Sequence, residues 1–70
     1  MLKQKLLELR EQHDISQNRL AWAIGVSSRA IKHWESGTRV PSTKSLLALA
    51  NYFNVSVDWL LSDDNENEKG

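Results

Sequence analysis

Gly25, which lies between two short amphipathic patterns, constrains the fold of this 70-residue chain more than any other feature. In the segment 17–36, QNRLAWAIGVSSRAIKHWES, apolar residues recur at helical spacing on both sides of the glycine. They are Leu20 and Ile24 before it, and Val26, Ala30, Ile31 and Trp34 after it. Glycine adopts a left-handed backbone without steric cost, so Gly25 can turn the chain and let the two apolar faces meet. The segment therefore predicts two helices that are joined by a tight turn, with Ser27 as the cap of the second.

The second of these helices, predicted from Ser27 to Ser36, has a polar and basic outer face. At about 100° per residue, its apolar group spans roughly 140°, and its polar residues lie on the opposite side. Those residues are Ser28, Arg29, Lys32 and Ser36. Two helices in this arrangement form a helix-turn-helix, whose second helix enters the major groove of DNA. There Arg29 can donate two hydrogen bonds to guanine, Lys32 can reach guanine or a phosphate, and Ser28 can donate or accept.

The charge of the chain is zero in total but unevenly distributed. Residues 1–62 contain eight lysines and arginines and five acids, whereas residues 63–70 contain one lysine and four acids. Between Ser16 and Lys44 there are five basic residues and a single acid, Glu35. The basic charge is therefore concentrated around the predicted helix-turn-helix, as expected for a protein that binds a polyanion.

The remaining pattern predicts three further helices and no strands. The five predicted helices run from Leu2 to about His13, from Ser16 to near Gly25, from Ser27 to Ser36, from Ser42 to Asn54 and from Ser56 to Leu61. In the fourth helix, the apolar stripe comprises Leu46, Leu47, Leu49, Ala50 and Phe53. We expect one all-α domain over residues 1–62 and a disordered acidic tail over 63–70.

Several classes of protein do not fit this sequence. It has no cysteine, no glycine-rich phosphate loop and only two histidines, His13 and His33, so we expect no enzyme, metal site or cofactor. We expect His13 to pack at the edge of the core. No apolar run approaches a membrane span, and we expect a cytoplasmic protein.

Three elements, SQNRLAWAIGVS, IKHWESGTRVPS and NVSVDWLL, occur in this order within residues 6–61. Together they resemble the phage repressor and Cro family of helix-turn-helix regulators, often called Xre-type. The resemblance implies a compact five-helix domain like that of lambda repressor, with the third helix as the recognition helix. It also implies a homodimer that binds a palindromic operator in double-stranded DNA and represses or autoregulates transcription.

The resemblance assigns roles to individual residues. It adds His33 to the base-contacting set of Ser28, Arg29 and Lys32, and it pairs Arg10 with Glu35 in a structural ion pair. Gln17 matches a family position that binds the DNA backbone. Further candidates for backbone contacts, which flank the recognition helix in the sequence, are Ser27, Thr38, Arg39, Thr43 and Lys44. Candidates for the dimer interface are Val57, Trp59 and Leu60, and Trp59 could serve in the core, in the interface or in both. For the charged residues, the alternative is an ordinary solvated surface.

Trp22 departs from this pattern, because the family generally has a polar residue there. It lies about 90° or more from the face formed by Leu20 and Ile24. Trp22 is either a partly covered surface aromatic or a contact with another protein. The second possibility supports an alternative function, a protein-interaction module such as an antitoxin or adaptor with the same fold. A contact with DNA should weaken steeply with salt, whereas an apolar protein interface should not.

Overall fold

The chain folds into five α-helices and no strands over residues 2–62, which are the residues that the computed structural model describes. The helices are α1 (Leu2–Gln12), α2 (Gln17–Ile24), α3 (Ser28–Ser36), α4 (Thr43–Phe53) and α5 (Val57–Leu61). The predicted all-α architecture is confirmed, and each observed helix ends within one residue of its predicted bounds. The predicted acidic tail lies outside the described residues.

Short polar residues and glycines define the helix ends. In α2 to α5, the hydroxyl of an N-cap serine accepts a hydrogen bond from the N–H three residues later; these serines are Ser16, Ser27, Ser42 and Ser56. Left-handed residues end α2, α3 and α4, namely Gly25, Gly37 and Asn54, with φ of 78°, 81° and 58°. Asp14 turns the chain after α1 with φ 53°, in the left-handed region that aspartate tolerates.

All five helices contribute to one core. Its members are Leu6 and Leu9 of α1, Leu20 and Ala21 of α2, Ile31 and Trp34 of α3, Leu49, Ala50 and Phe53 of α4, and Leu60 of α5. Helix α3 packs on α1 and α2, α2 also packs on α4, and α5 packs on α1 and α4. The inner face of α3 is therefore fixed by two helices while its outer face stays open.

Of two sequence expectations about packing, the one for Leu47 is wrong and the one for His13 is confirmed. Leu47 was expected in the apolar stripe of α4, but its side chain is 52% exposed, since Leu49, Ala50 and Phe53 form the buried face. His13 lies just beyond the end of α1, and its ring centroid is 5.1 Å from that of the core residue Phe53; its ring therefore packs at the edge of the core as expected, although the residue is exposed.

A buried lysine caps the C-terminal end of α5, and the sequence did not predict this contact. Lys5 of α1 is 2% exposed, and its ammonium group donates to the carbonyl of Trp59 at 2.9 Å and to the hydroxyl of Ser62. The ammonium also lies 4.6 Å from the ring centroid of Trp59. A cation at the last carbonyls of a helix is favourable, so Lys5 helps to hold a five-residue helix that would be unstable alone.

Candidate nucleic-acid interface

The turn between α2 and α3 sets the relative orientation of the two helices. Gly25 donates its N–H to the carbonyl of Trp22 at 3.4 Å, and Val26 donates to the carbonyl of Ala21 at 2.9 Å. The carbonyls in the last turn of a helix have no hydrogen-bond donor within the helix, so these two bonds satisfy them in α2. The chain then enters α3 directly through the cap at Ser27.

An ion-pair network joins α3 to the two preceding helices. Arg10 Nε donates to Glu35 Oε2 at 2.6 Å, and its Nη2 donates to Oε1 at 3.2 Å. Arg10 Nη1 also donates to the carbonyl of Ile15 at 3.1 Å, and Gln17 Nε2 donates to Glu35 Oε1 at 2.9 Å. The two charged side chains are only 18% and 9% exposed. The pair expected from the family resemblance is thus present, and it connects α1, the start of α2 and α3.

Gln17, expected at a DNA phosphate, is half-buried and uses one of its amide hydrogens on Glu35. Its second amide hydrogen remains available to an acceptor outside the protein. The backbone N–H groups of Gln17 and Asn18 are in the first turn of α2, where a helix has no internal acceptors for them. The start of α2 can therefore still donate to an anion.

The outer face of α3 carries the residues that were predicted to contact bases. Arg29 and Lys32 are exposed, whereas Ser28 and His33 are half-buried. Neither Arg29 nor Lys32 forms an ion pair with any residue between 2 and 62. Their donors are therefore free for a ligand, while Ile31 and Trp34 on the opposite side of α3 are buried.

An open depression of about 460 Å³ lies between α3 and the loop that follows it. Its lining includes Ser27, Arg29, Ala30, His33, Arg39 and Val40. The loop is held against α3 because the N–H groups of Thr38 and Arg39 donate to the His33 carbonyl at 3.0 and 3.3 Å. The structure thus brings four residues that were predicted to contact DNA to one depression. They are Ser27, Arg29 and His33 at α3 and Arg39 in the loop.

The other predicted backbone contacts lie around this surface. The Thr38 hydroxyl is 2.6 Å from the hydroxyl of Ser36, and one of the two donates to the other. Thr43 and Lys44 are exposed in the first turn of α4 and do not line the depression. Val40, in the loop before Pro41, is 82% exposed at the depression.

The three dimer-interface candidates in α5 have different environments. Trp59 is 37% exposed and Val57 is half-buried, so both offer surface to a second molecule. Leu60 is fully buried among the core residues of its own chain. Its side chain is therefore not available for a contact between subunits, contrary to the expectation from sequence.

Trp22 is far more exposed than a partly covered surface aromatic. Its side chain is 79% exposed, and the guanidinium carbon of Arg19 lies 5.8 Å from the centroid of its ring. The two side chains line a shallow depression on α2 together with Ser16 and Asn18. This surface is separate from the one formed by α3 and its following loop.

The structure also bears on metal sites and membrane spans. Among residues 2–62, no three histidine or acidic side chains lie close enough to hold a metal ion. Within the same residues, no helix is long and apolar enough to cross a membrane.

Comparison with known proteins gives consistent matches over this fold. Residues 6–60 match the helix-turn-helix family model. The chain is 39% identical over 61 residues to the transcriptional activator BcrR of Enterococcus faecalis, covering 87% of this chain and 30% of BcrR. It is 35% identical over 66 residues to MJ0272, an uncharacterized helix-turn-helix transcriptional regulator of Methanocaldococcus jannaschii, covering 93% of this chain and 100% of MJ0272. Apart from MJ0272, the chain spans between 30% and 60% of the length of the curated relatives that it matches.

A similar solved structure contains DNA. The crystal structure of the c2 repressor of Salmonella phage P22 with a synthetic operator superposes on this chain with a TM-score of 0.86. The two sequences are 33% identical, and the match covers 91% of this chain and 97% of the repressor chain.

Proposed function

Because the chain belongs to the helix-turn-helix family of DNA-binding transcriptional regulators, we propose that it represses transcription as a homodimer on a palindromic operator. Autoregulation, in which the operator lies before its own gene, is part of this proposal. Such a protein acts on DNA in the cytoplasm and needs no cofactor.

The observation that carries the proposal is the unpaired, exposed basic face of α3. Arg29 and Lys32 are exposed on the side of α3 that faces away from the core. Arginine donates to O6 and N7 of guanine in a bidentate geometry, and lysine reaches the same atoms or a phosphate. Ser28 and His33 flank these two residues and can add hydrogen bonds to neighbouring bases.

The residues around α3 can hold the DNA backbone. We assign phosphate contacts to Gln17, Ser27, Thr38, Arg39, Thr43 and Lys44. The Ser27 hydroxyl accepts from the N–H of Ala30, so its hydrogen remains free to be donated to a phosphate. Contacts of this kind position the protein without reading sequence, and they make affinity fall with salt.

Dimerisation through α5 would place two copies of α3 on one face of DNA. Trp59 and Val57 offer the apolar surface for this contact. In a two-fold dimer, the recognition helices read half-sites about one helical turn apart, roughly 34 Å. The P22 c2 repressor bound to its synthetic operator supports DNA binding by a chain of this fold.

Selection of binding sites from a random duplex pool tests the proposal. Sequencing after several rounds at moderate salt should reveal an enriched palindrome with half-sites one turn apart. Weak, salt-sensitive retention without any enriched motif would contradict sequence-specific binding.

The exposure of Trp22 favours a second candidate function, binding of a protein partner as in an antitoxin or adaptor. An aromatic side chain that is 79% exposed is unusual on a free surface, and aromatic residues are enriched at interfaces. In this case, complex formation would persist at salt concentrations that abolish DNA binding, and Trp22→Ser would weaken it.

A further inference from the structure

The depression between α3 and its following loop combines carbon surface with hydrogen-bond donors. Ala30 and Val40 supply methyl groups, whereas Arg29 and Arg39 supply guanidinium groups. Val40 is the most exposed large hydrophobic side chain between residues 2 and 62, at 82%. Neither arginine has an ion-pair partner among residues 2–62, so this part of the surface offers both an apolar group and free donors to a ligand.

We infer that Val40 reads the 5-methyl group of a thymine in the operator, beside the base pair that Arg29 reads. The inference rests on the proposed function, because it requires the outer face of α3 to lie in the major groove. Thymine presents a methyl group there, and proteins recognise this group through apolar contacts. Val40 would thus add sequence specificity from outside the recognition helix.

The position of Val40 is fixed by the chain around it. The two hydrogen bonds to the His33 carbonyl hold the preceding residues, Thr38 and Arg39, against α3. On the other side, Pro41 is buried, and a residue before proline is restricted to an extended backbone. Val40 is therefore held in place although its side chain is almost fully solvated, so little entropy is lost when it meets a base.

The dimensions of the surface suit the edge of a base pair. Arg29 and His33 are one helical turn apart, and four residues rise about 6 Å, close to two base steps of about 3.4 Å. Since Val40 lines the same depression as both side chains, the thymine should lie within one or two base pairs of a base that Arg29 or His33 contacts.

A double-mutant cycle between protein and DNA tests this assignment. Each thymine of the selected operator is replaced in turn by deoxyuridine, which differs only in lacking the methyl group. Affinities are measured for the parent protein, for Val40→Ala and for Val40→Ile, which keeps an apolar side chain. Leu47→Ala is the matched control, because Leu47 is also an exposed apolar residue but lies on α4, away from the depression.

At one thymine per half-site, loss of the methyl should weaken binding of the parent by about fourfold, the effect of one buried methyl-sized group. Val40→Ala should bind the thymine and deoxyuridine duplexes equally at that position. Val40→Ile and Leu47→Ala should retain the fourfold preference.

Other contacts of Val40 predict a different result. If Val40 contacted a deoxyribose or a second protein subunit, Val40→Ala would weaken binding to all duplexes by the same factor. An equal loss with and without the methyl at every position would therefore overturn the inference and leave the proposed function intact. Failure to enrich any operator would overturn both.

Discussion

Replacing Arg10 with methionine should leave the carboxylate of Glu35 without its main partner inside the protein. That carboxylate is 9% exposed and receives two hydrogen bonds from Arg10 and one from Gln17. Removing one partner of a buried ion pair destabilises a protein by about 3–5 kcal/mol. Because Gln17 and some water still reach Glu35, we expect about 3 kcal/mol, the lower end of this range.

The double variant Arg10→Met/Glu35→Leu should behave differently. It removes both charges and fills the space with apolar groups, and replacing a whole buried pair in this way is often neutral. The double variant should therefore be more stable than Arg10→Met alone, although it lacks one more native side chain.

Urea unfolding followed by tryptophan fluorescence measures both effects. With a slope of about 1 kcal/mol per molar for a small domain, a loss of about 3 kcal/mol lowers the midpoint by about 3 M. Arg39→Ala, which removes an exposed arginine, is the control and should leave the midpoint nearly unchanged. Equal midpoints for Arg10→Met and the double variant would refute the idea that an unpaired Glu35 is what destabilises the protein.

Three further predictions concern other parts of the molecule. Lys44→Ala should weaken binding to all DNA sequences alike and reduce the slope of log affinity against log salt by about 0.9, the contribution of one phosphate; a selective loss for one sequence would contradict a backbone contact. Gly25→Ala should destabilise the fold by about 1–2 kcal/mol because φ is 78°, although a Cβ would meet no atom within 4 Å. Gly25→Asn should destabilise the fold less, because asparagine tolerates a positive φ better than alanine. If urea unfolding gave the same loss of stability for Gly25→Ala and Gly25→Asn, backbone strain would not be the cause. Trp22→Ser should leave operator affinity within about twofold, as for most surface changes, and a larger loss would place Trp22 at the DNA.

The fold could be predicted from sequence because its signals are local. Each N-cap serine bonds three residues ahead, and Gly25 and Gly37 turn the chain at the positions where the apolar patterns end. Membership of the helix-turn-helix family confirms the predicted class of DNA-binding transcriptional regulator, which is not a class of enzymes.

The features that the sequence did not reveal depend on contacts between distant residues. Lys5 is buried because α5 folds back over α1, and nothing near Lys5 in the sequence signals this contact. Leu47 has the spacing of a core residue, but no other helix between residues 2 and 62 covers its side of α4 enough to bury it. Val40 is a candidate DNA contact only because the loop is held against α3, and that contact is not visible in the sequence.

The individual base contacts on α3 remain predictions, and one measurement tests them most directly. Site selection from the same random pool should be run in parallel with the parent protein and with Arg29→Ala. Arg29→Ala should still enrich a palindrome with half-sites one turn apart, but with the preference for guanine lost at one position in each half-site. An identical motif from both proteins would mean that Arg29 does not read a base, and would contradict α3 as the recognition helix in the orientation proposed.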